Sequence, residues 1–330
     1  MVAATICHSD MMKRYRDLSG WLKEKYGSKV FKVSLTAATT CPNLDGSLAT
    51  GGCTFCNDAA YSPLALAKNR RQKSIPEQLA QGMEYVKRRH ATSKFIAYFQ
   101  SFTSTYGDKE KLMAKFRESL DHPDVVGFAL STRPDCIDKD WAKALSQLAD
   151  GKLCWIELGL QSANDLILAK INRWHTRWQF GEALKILKDQ NIAVCAHVVL
   201  GLPLETRPDV LETAQYLATQ PIDGIKIHNL HVVKGTALAQ EYQRGKYQPL
   251  SLTTFTEWAV DFLEQTPPQL LIHRLNAHAP RQLTLAPDWS VNKLAVFRAV
   301  EKELIKRESW QGKGLGFART YLINLTKAKF

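Results

Sequence analysis

The chain has 330 residues, 45% hydrophobic and 23% charged, which is enough apolar content for one large domain, alone or with an appendage, and excludes a disordered chain. Seven cysteines, an odd number, follow a start at 1–10 without the basic opening and long apolar core of a secretory signal, and no apolar run approaches the ~20 residues of a membrane span, so reduced thiols, a cytoplasmic location and no membrane partner are expected. Forty-four Lys and Arg against 32 Asp and Glu give +12, which favours a polyanionic partner, nucleic acid foremost, over solubility alone.

Residues 11–26 place Met12, Tyr15, Leu18 and Leu22 at helical spacing and stop at Gly27, which predicts a leading helix. A β-like run at 30–36 then feeds the loop Cys41-Pro-Asn-Leu-Asp-Gly46 through Gly51-Gly-Cys53-Thr-Phe-Cys56-Asn57. Three cysteines on one loop, two of them spaced C-x-x-C, bring three thiolates to one metal centre and leave one position open. Zinc would need a fourth ligand, with Cys7 or His8 the nearest upstream, whereas a three-thiolate iron-sulfur cluster would not; binding nothing is the third reading. Gly46, Gly51 and Gly52 allow a tight curl, and Phe55 is placed to shield the centre from water. Two basic clusters, 69–73 and 87–90, bracket a helix opened by the capping signal Ser74-Ile-Pro-Glu77; such runs track phosphates or simply face solvent.

From there an apolar run followed by an amphipathic helix repeats, the pattern of parallel strands with crossover helices. The runs are 95–100, 125–130, 153–158, 193–200 and 222–227; the helices are 109–120, 141–148, 178–190 and 210–219. With 30–35 this makes about six parallel strands, an α/β three-quarter barrel open at one edge. After Leu230 the pattern loosens, and 253–264, 270–273 and 291–306 suggest a smaller α/β cap. The expected division is 1–29 helical extension, 30–235 partial barrel, and 236–330 cap and substrate region.

Polar groups gather where the strands end: Gln100-Ser-Phe-Thr103, Ser131-Thr-Arg-Pro-Asp135, Glu157-Leu-Gly-Leu-Gln161, Asn172-Arg173-Trp-His175, His197, Gly201-Leu-Pro203 and Lys226-Ile-His-Asn-Leu-His231. Each has a plain account, with Arg133 pairing Asp135, Gly201-Leu-Pro203 a turn, and His197 and His228 satisfied core histidines. Their joint placement at the C-terminal ends of strands, alongside the cysteine loop, points to one site.

These segments, with Thr132-Arg-Pro-Asp-Cys136, Leu230-His-Val-Val-Lys-Gly235 and His273-Arg274, resemble the radical S-adenosylmethionine superfamily, and within it the Elongator-like subgroup of YhcC/YtqA-type proteins, over nearly the whole chain. Departures are the eleven residues between the first two cysteines, where three are commonest; Gln100-Ser101 in place of paired glycines; and Ser131 where relatives often carry an acid facing the ribose. The acetyltransferase domain of true Elongator catalytic subunits is not expected, since nothing of that length follows the cap in this sequence. The resemblance implies that Cys41, Cys53 and Cys56 hold a [4Fe-4S] cluster, that S-adenosylmethionine chelates the fourth iron, and that its reductive cleavage yields a 5'-deoxyadenosyl radical. It implies Gln161, Arg173 and His197 as ligands of the cofactor's ribose and carboxylate, followed by Gln100, Ser101, Thr103 and Ser131, with Lys226, His228, Lys234 and Arg274 facing substrate. It also implies an electron donor such as flavodoxin or ferredoxin.

The subgroup includes enzymes that act on tRNA wobble uridine, so the resemblance implies that substrate, with trimming of a carboxymethylaminomethyl side chain the reaction associated with YtqA-type relatives, and the basic surface with Trp174 and Trp178 suits backbone neutralisation and base stacking. A small-molecule or protein substrate is the alternative within the class, and a zinc-organised RNA-binding module without catalysis the alternative outside it. Cys154 and Cys195 read as core residues; Cys136, at the rim, either faces the pocket or ligates a second centre.

Overall fold

The structure is a computed structural model that describes residues 14–61 and 73–327. Cys7 and His8, considered above as zinc ligands, and residues 69–72 of the first basic cluster lie outside them. Strands β1 (Val30–Leu35), β2 (Lys94–Phe99), β3 (Val125–Thr132), β4 (Leu153–Gln161), β5 (Ala193–Leu200), β6 (Gly224–Asn229) and β8 (Leu271–Arg274) form a seven-stranded sheet in that order. All six pairings are parallel. The short β7 (Val232–Val233) pairs antiparallel with β9 (Thr284–Ala286).

Each parallel step needs a crossover, and the helices supply it: α3 (Ile75–Lys87), α4 (Lys109–Leu120), α5 (Lys139–Ala149), α7 (Arg177–Asp189), α8 (Arg207–Ala218) and α10 (Leu252–Glu264). Their starts follow local chemistry. Ser74 with Glu77 closes a capping box on α3, and Thr176 with Gln179 another on α7. The helices pack on the outer face of the sheet, where Phe95, Phe99, Phe128, Leu130, Ile156, Leu158, Val194 and Val198 meet Phe116, Leu145, Phe180 and Leu184 in one apolar cluster.

Alternate residues on the same strands point inward, where α1 (Leu18–Tyr26) fills the N-terminal end of the sheet's concave side. Leu18 and Leu22 pack there with Ile96, Tyr98, Ala129, Trp155 and Cys195. This short helix touches both edge strands, β1 and β8, and the amide of Ile272 donates to the Arg16 carbonyl at 2.8 Å. Seven flat strands would hold their edges ~29 Å apart, whereas nine helical residues span only ~14 Å. The sheet is therefore curled into an open half-barrel, one strand short of the eight that close a full one.

One expectation is corrected: the sheet has seven strands and not six. The run 270–273, expected in a cap, is the seventh strand, pairing with β6 through Gly224 to Leu271 and Ile225 to Ile272. It was hidden because it is only four residues long and its crossover, α10, lies beyond the irregular stretch that contains β7 and α9 (Ala237–Gln243). The main sheet thus continues past residue 235. The other helices are α2 (Asp58–Tyr61), α6 (Asp165–Lys170), α11 (Lys293–Lys306), which packs on α10, and α12 (Arg319–Lys327). Among the described residues no helix is long and apolar enough to cross a membrane.

Candidate active site

The cysteine loop leaves the C-terminal end of β1 and folds back on itself. Amides of Leu44 and Asp45 reach the Cys41 carbonyl, Gly52 donates to the Asn43 carbonyl at 2.8 Å, and Cys56 to the Cys53 carbonyl at 2.9 Å. Gly52 has φ +75°, and a Cβ there would stand 2.9 Å from the Leu44 side chain, so glycine is required. Two neighbours hold the loop on the barrel: Thr54 donates to the Ile171 carbonyl at 3.0 Å, and Leu238 of α9 to the Thr54 carbonyl at 2.8 Å.

Cys53 is buried, Cys41 half-buried and Cys56 exposed. The three thiols lie within electrostatic reach of one another and of Arg173. Among the described residues no three His, Cys, Asp or Glu side chains converge in the geometry of a single ion. Donors already face the sulfur: the Asn43 side-chain amide and Arg173 Nη1 each stand 3.6 Å from Cys53 Sγ. Arg173 is aimed by its surroundings, since Nε donates to His175 Nε2 at 2.8 Å and Nη2 to the Gly159 carbonyl at 3.3 Å. Burial, with Arg173 and Arg133 nearby, holds His175 well below its usual range, so it stays a neutral acceptor. Gly159 makes room: a Cβ there would lie 2.4 Å from Arg173 Nη2 and 2.9 Å from the Gln161 side-chain amide.

Arg133 is 2% exposed and donates through Nε and Nη2 to the two oxygens of Asp135 at 2.9 and 2.8 Å. Its Nη2 also donates to the Arg173 carbonyl at 2.9 Å, whereas its buried Nη1 has no partner among the described residues. Two guanidinium groups therefore stand beside the cysteine loop, an electropositive setting that suits an anionic cluster. The donor set fits a [4Fe-4S] cluster with one open position. Cys136 stands close to this group, and burial with Asp135 pushes its thiol up to about 12.

Below the rim lies a second constellation. Glu157, fully buried, accepts from Lys32 at 2.8 Å and from the Trp155 indole at 3.3 Å on Oε1. On Oε2 it meets Lys226 Nζ at 2.5 Å, the Tyr98 hydroxyl at 2.5 Å, His197 Nε2 at 2.8 Å and the Ser131 hydroxyl at 3.1 Å. These groups come from β1 to β6, each an inward-facing residue, so one carboxylate ties six strands together. A carboxylate has about four lone-pair sites, so Glu157 has no capacity left for a ligand. Burial alone would raise Glu157, yet Lys226, Lys32 and His197 hold it well below the usual carboxylate range. Two ammonium groups share one carboxylate, and burial pushes Lys226 down to about 7 despite Glu157. Burial and Lys226 lower His197 to about 4. The His228 ring lies 5.3 Å from that of His197, tilted by 37°, and its buried Nε2 has no partner among the described residues.

The expected site residues thus fall into three groups. Arg173 and Gln161 sit together at the rim around Gly159. Ser101 and Thr103 are buried under the base of the cysteine loop, with Ser101 Oγ 3.2 Å from Thr36 Oγ1 and the Thr103 amide 3.5 Å from the Thr40 carbonyl; Gln100 precedes them at the end of β2. Ser131, His197, Lys226 and His228 belong to the barrel interior. Arg274, the last residue of β8, pairs with Lys226 in the sheet register and is felt electrostatically by His228. Lys234 stands apart, exposed at the edge of the cysteine loop, where its carbonyl accepts from Asn57 at 3.0 Å. Trp174 and Trp178 are 57% and 69% exposed and are not core residues. Gly201-Leu-Pro203 is a turn, closed by Glu205 on the Gly201 amide at 2.6 Å. Glu157 and His175 stood in the strand-end segments expected at the site but without a role of their own, and Lys32 and Tyr98 went unrecognised; the signal for these two was polar side chains at inward positions of strands that otherwise bury apolar ones.

Comparison with known proteins agrees with this geometry. The Radical SAM superfamily profile matches residues 49–217 and the Radical_SAM C-terminal domain residues 222–306. The chain is 40% identical to the Bacillus subtilis protein YtqA over 93% of its own length and 94% of the relative's. It is 29% identical to a tRNA uridine(34) acetyltransferase of Dehalococcoides mccartyi, over 47% of this chain and 34% of that one. The structure of Elp3 from the archaeon Methanocaldococcus infernus superposes with a TM-score of 0.68 at 19% identity, covering 86% of this chain and 64% of that one, a likeness of fold. Members of the family bind a [4Fe-4S] cluster and S-adenosylmethionine, and the chain belongs to the radical S-adenosylmethionine superfamily as an enzyme of the YhcC/YtqA type, with Elongator-like affinity.

Proposed function

We propose that this enzyme modifies the side chain of a tRNA wobble uridine, with trimming of a carboxymethylaminomethyl group as the reaction, and that Cys41, Cys53 and Cys56 are its cluster ligands. The observation that supports the ligand assignment is that the three cysteines of one loop lie within electrostatic reach of one another and of Arg173, whose Nη1 stands 3.6 Å from Cys53 Sγ. When bound, the cluster and S-adenosylmethionine supply an electron and a sulfonium whose cleavage gives a 5'-deoxyadenosyl radical. The chain's own residues orient and exclude water. Arg173, held by His175, presents a planar fork to the cofactor's carboxylate. Gln161 beside it suits the ribose, and Gln100, Ser101 and Thr103 support the site from under the base of the cysteine loop; Ser131 and His197 form the floor through Glu157. Lys226, His228 and Arg274 face substrate from the interior, where the charge of Lys226 and Arg274 and the His228 Nε2, without a partner among the described residues, suit an anionic group; Lys234 faces it from outside. An electron donor such as flavodoxin or ferredoxin is the redox partner.

A tRNA substrate is supported by the partial match to a tRNA uridine(34) enzyme, the net charge of +12 and the exposed indoles of Trp174 and Trp178. The test is mass spectrometry of tRNA nucleosides from cells with and without the gene. Accumulation of the untrimmed wobble nucleoside in its absence, restored by wild-type protein and not by Cys53→Ser, supports the reading. Identical nucleoside profiles would refute it.

A further inference from the structure

Arg133 is a fully engaged guanidinium on one side and an unengaged one on the other. Of its five N–H groups, three are used by Asp135 and the Arg173 carbonyl, at 2.8–2.9 Å. The two on Nη1 are buried and unpaired among the described residues. A side chain 2% exposed with unpaired donors has left water and found no replacement, which costs free energy unless a ligand completes it. The neighbouring acceptors are known: the sulfurs of Cys41 and Cys53 lie within electrostatic reach of this guanidinium. It is also rigid, since Asp135 grips it bidentately within the three-residue helical turn Pro134–Cys136.

Resting on the reading that Cys41, Cys53 and Cys56 ligate the cluster, we propose that Arg133 sets the cluster's reduction potential by presenting its buried charge and free Nη1 donors to the thiolate side of the centre. It is a positioning and tuning residue: it touches no reacting carbon. Reduction adds one negative charge to a centre already made anionic by three thiolates, so a fixed cation beside it favours the reduced form. Asp135 acts with the opposite sign, neutralising part of that cation. The low polarity around a buried pair keeps both effects from being screened.

The test is a potentiometric titration, followed by electron paramagnetic resonance, of the full chain with anaerobically reconstituted cluster. Arg133→Gln is expected to lower the reduction equilibrium tenfold or more, at least ~59 mV for one electron. Asp135→Asn is expected to raise the potential, and Arg133→Lys, which keeps charge but loses the fork, to lie between wild type and Arg133→Gln. A merely structural role would lower stability in all three variants without moving the potential in opposite directions. Should Arg133→Gln fail to hold a cluster, the Asp135→Asn and Arg133→Lys titrations decide. Unchanged potentials, or shifts of the same sign in Arg133→Gln and Asp135→Asn, overturn the proposal. Iron content separates the underlying reading: if Cys41→Ser, Cys53→Ser and Cys56→Ser retain about four irons, the ligand assignment fails, and not merely the role of Arg133.

Discussion

Replacing Glu157 by Gln keeps the shape of the side chain and removes the one negative charge in the barrel's polar layer. Wild-type Glu157 has a fully buried side chain, and of its two ammonium partners Lys226 is 3% exposed and Lys32 23%. After the change both lysines face a neutral group, and the new amide NH2 points a donor at one of them. Breaking a buried pair by removing one partner costs about 3–5 kcal/mol, and this carboxylate also serves Tyr98, His197, Ser131 and Trp155, so the expected loss is about 4 kcal/mol. Lys226→Met is milder, about 1–2 kcal/mol, because Lys32 still neutralises the carboxylate and Tyr98 loses a single donor. The double variant leaves no buried Lys226 charge to strand. It should therefore cost less than the sum of the singles by about 2 kcal/mol. Urea titrations of the four proteins, followed by far-ultraviolet circular dichroism, give these differences. The reasoning is refuted if Glu157→Gln costs under about 1 kcal/mol, or if the two changes add within about 0.5 kcal/mol.

The same layer predicts the dependence of stability on pH. His197 is held at about 4 by burial and Lys226, against an ordinary 6.5, so below pH 6.5 the unfolded chain takes up a proton that the fold refuses; urea midpoints should fall from pH 6.5 toward 4, and Glu157, held low once its lysines overcome burial, deepens the loss at more acid pH. Lys226, at about 7 against 10.5, acts in the alkaline window: the unfolded chain keeps a proton that the fold has released, so its contribution to stability grows as pH rises above 7, and Lys226→Met should flatten that arm. Gly159→Ala should leave the fold intact by circular dichroism, because the Cβ meets only the far ends of the Arg173 and Gln161 side chains, at 2.4 and 2.9 Å. It should nonetheless weaken S-adenosylmethionine binding about tenfold by equilibrium dialysis, the ~1.4 kcal/mol of one charge-assisted hydrogen bond. Asp261→Ala tests the attachment of the C-terminal helices: Asp261 on α10 accepts from Arg207 of α8 at 2.7 and 2.9 Å and from Arg307, next to α11, at 2.7 Å. The loss should be about 2–3 kcal/mol in urea, lower than for a wholly buried pair because Arg207 is 56% exposed, with cluster content unchanged.

What could be read in the sequence was what repeats or what is spaced. The alternation of apolar runs with amphipathic helices specified the parallel strands because burying both faces of a sheet demands it, and β2 to β6 lie where those runs are. The cysteine loop was legible because three sulfur donors within sixteen residues have few other uses. The seventh strand was not legible: four residues cannot establish a period, and only the pairing of Leu271 and Ile272 with β6 assigns them to the sheet. Arg133 was read as Asp135's partner, which it is; that two of its N–H groups stay free is a fact of three dimensions.

The Glu157 layer was illegible for a different reason, and that reason bears on how the barrel works. Lys32, Tyr98, Glu157 and Lys226 lie on different strands of the half-barrel, separated by up to 194 residues, and none stands in a motif with another. Each taken alone is one polar residue in an apolar run. Only curling the sheet points them at a common centre, so the network exists if and only if the barrel has the right curvature and register; a slip of one residue in any strand would turn that strand's member outward and strand the others. The layer is therefore a check on the fold as much as a part of the site. It also separates two tasks that would conflict in one place: Glu157, saturated by six donors, keeps the walls fixed, while Arg133, Arg173 and His228 above it keep donors or charge available for whatever enters from the rim.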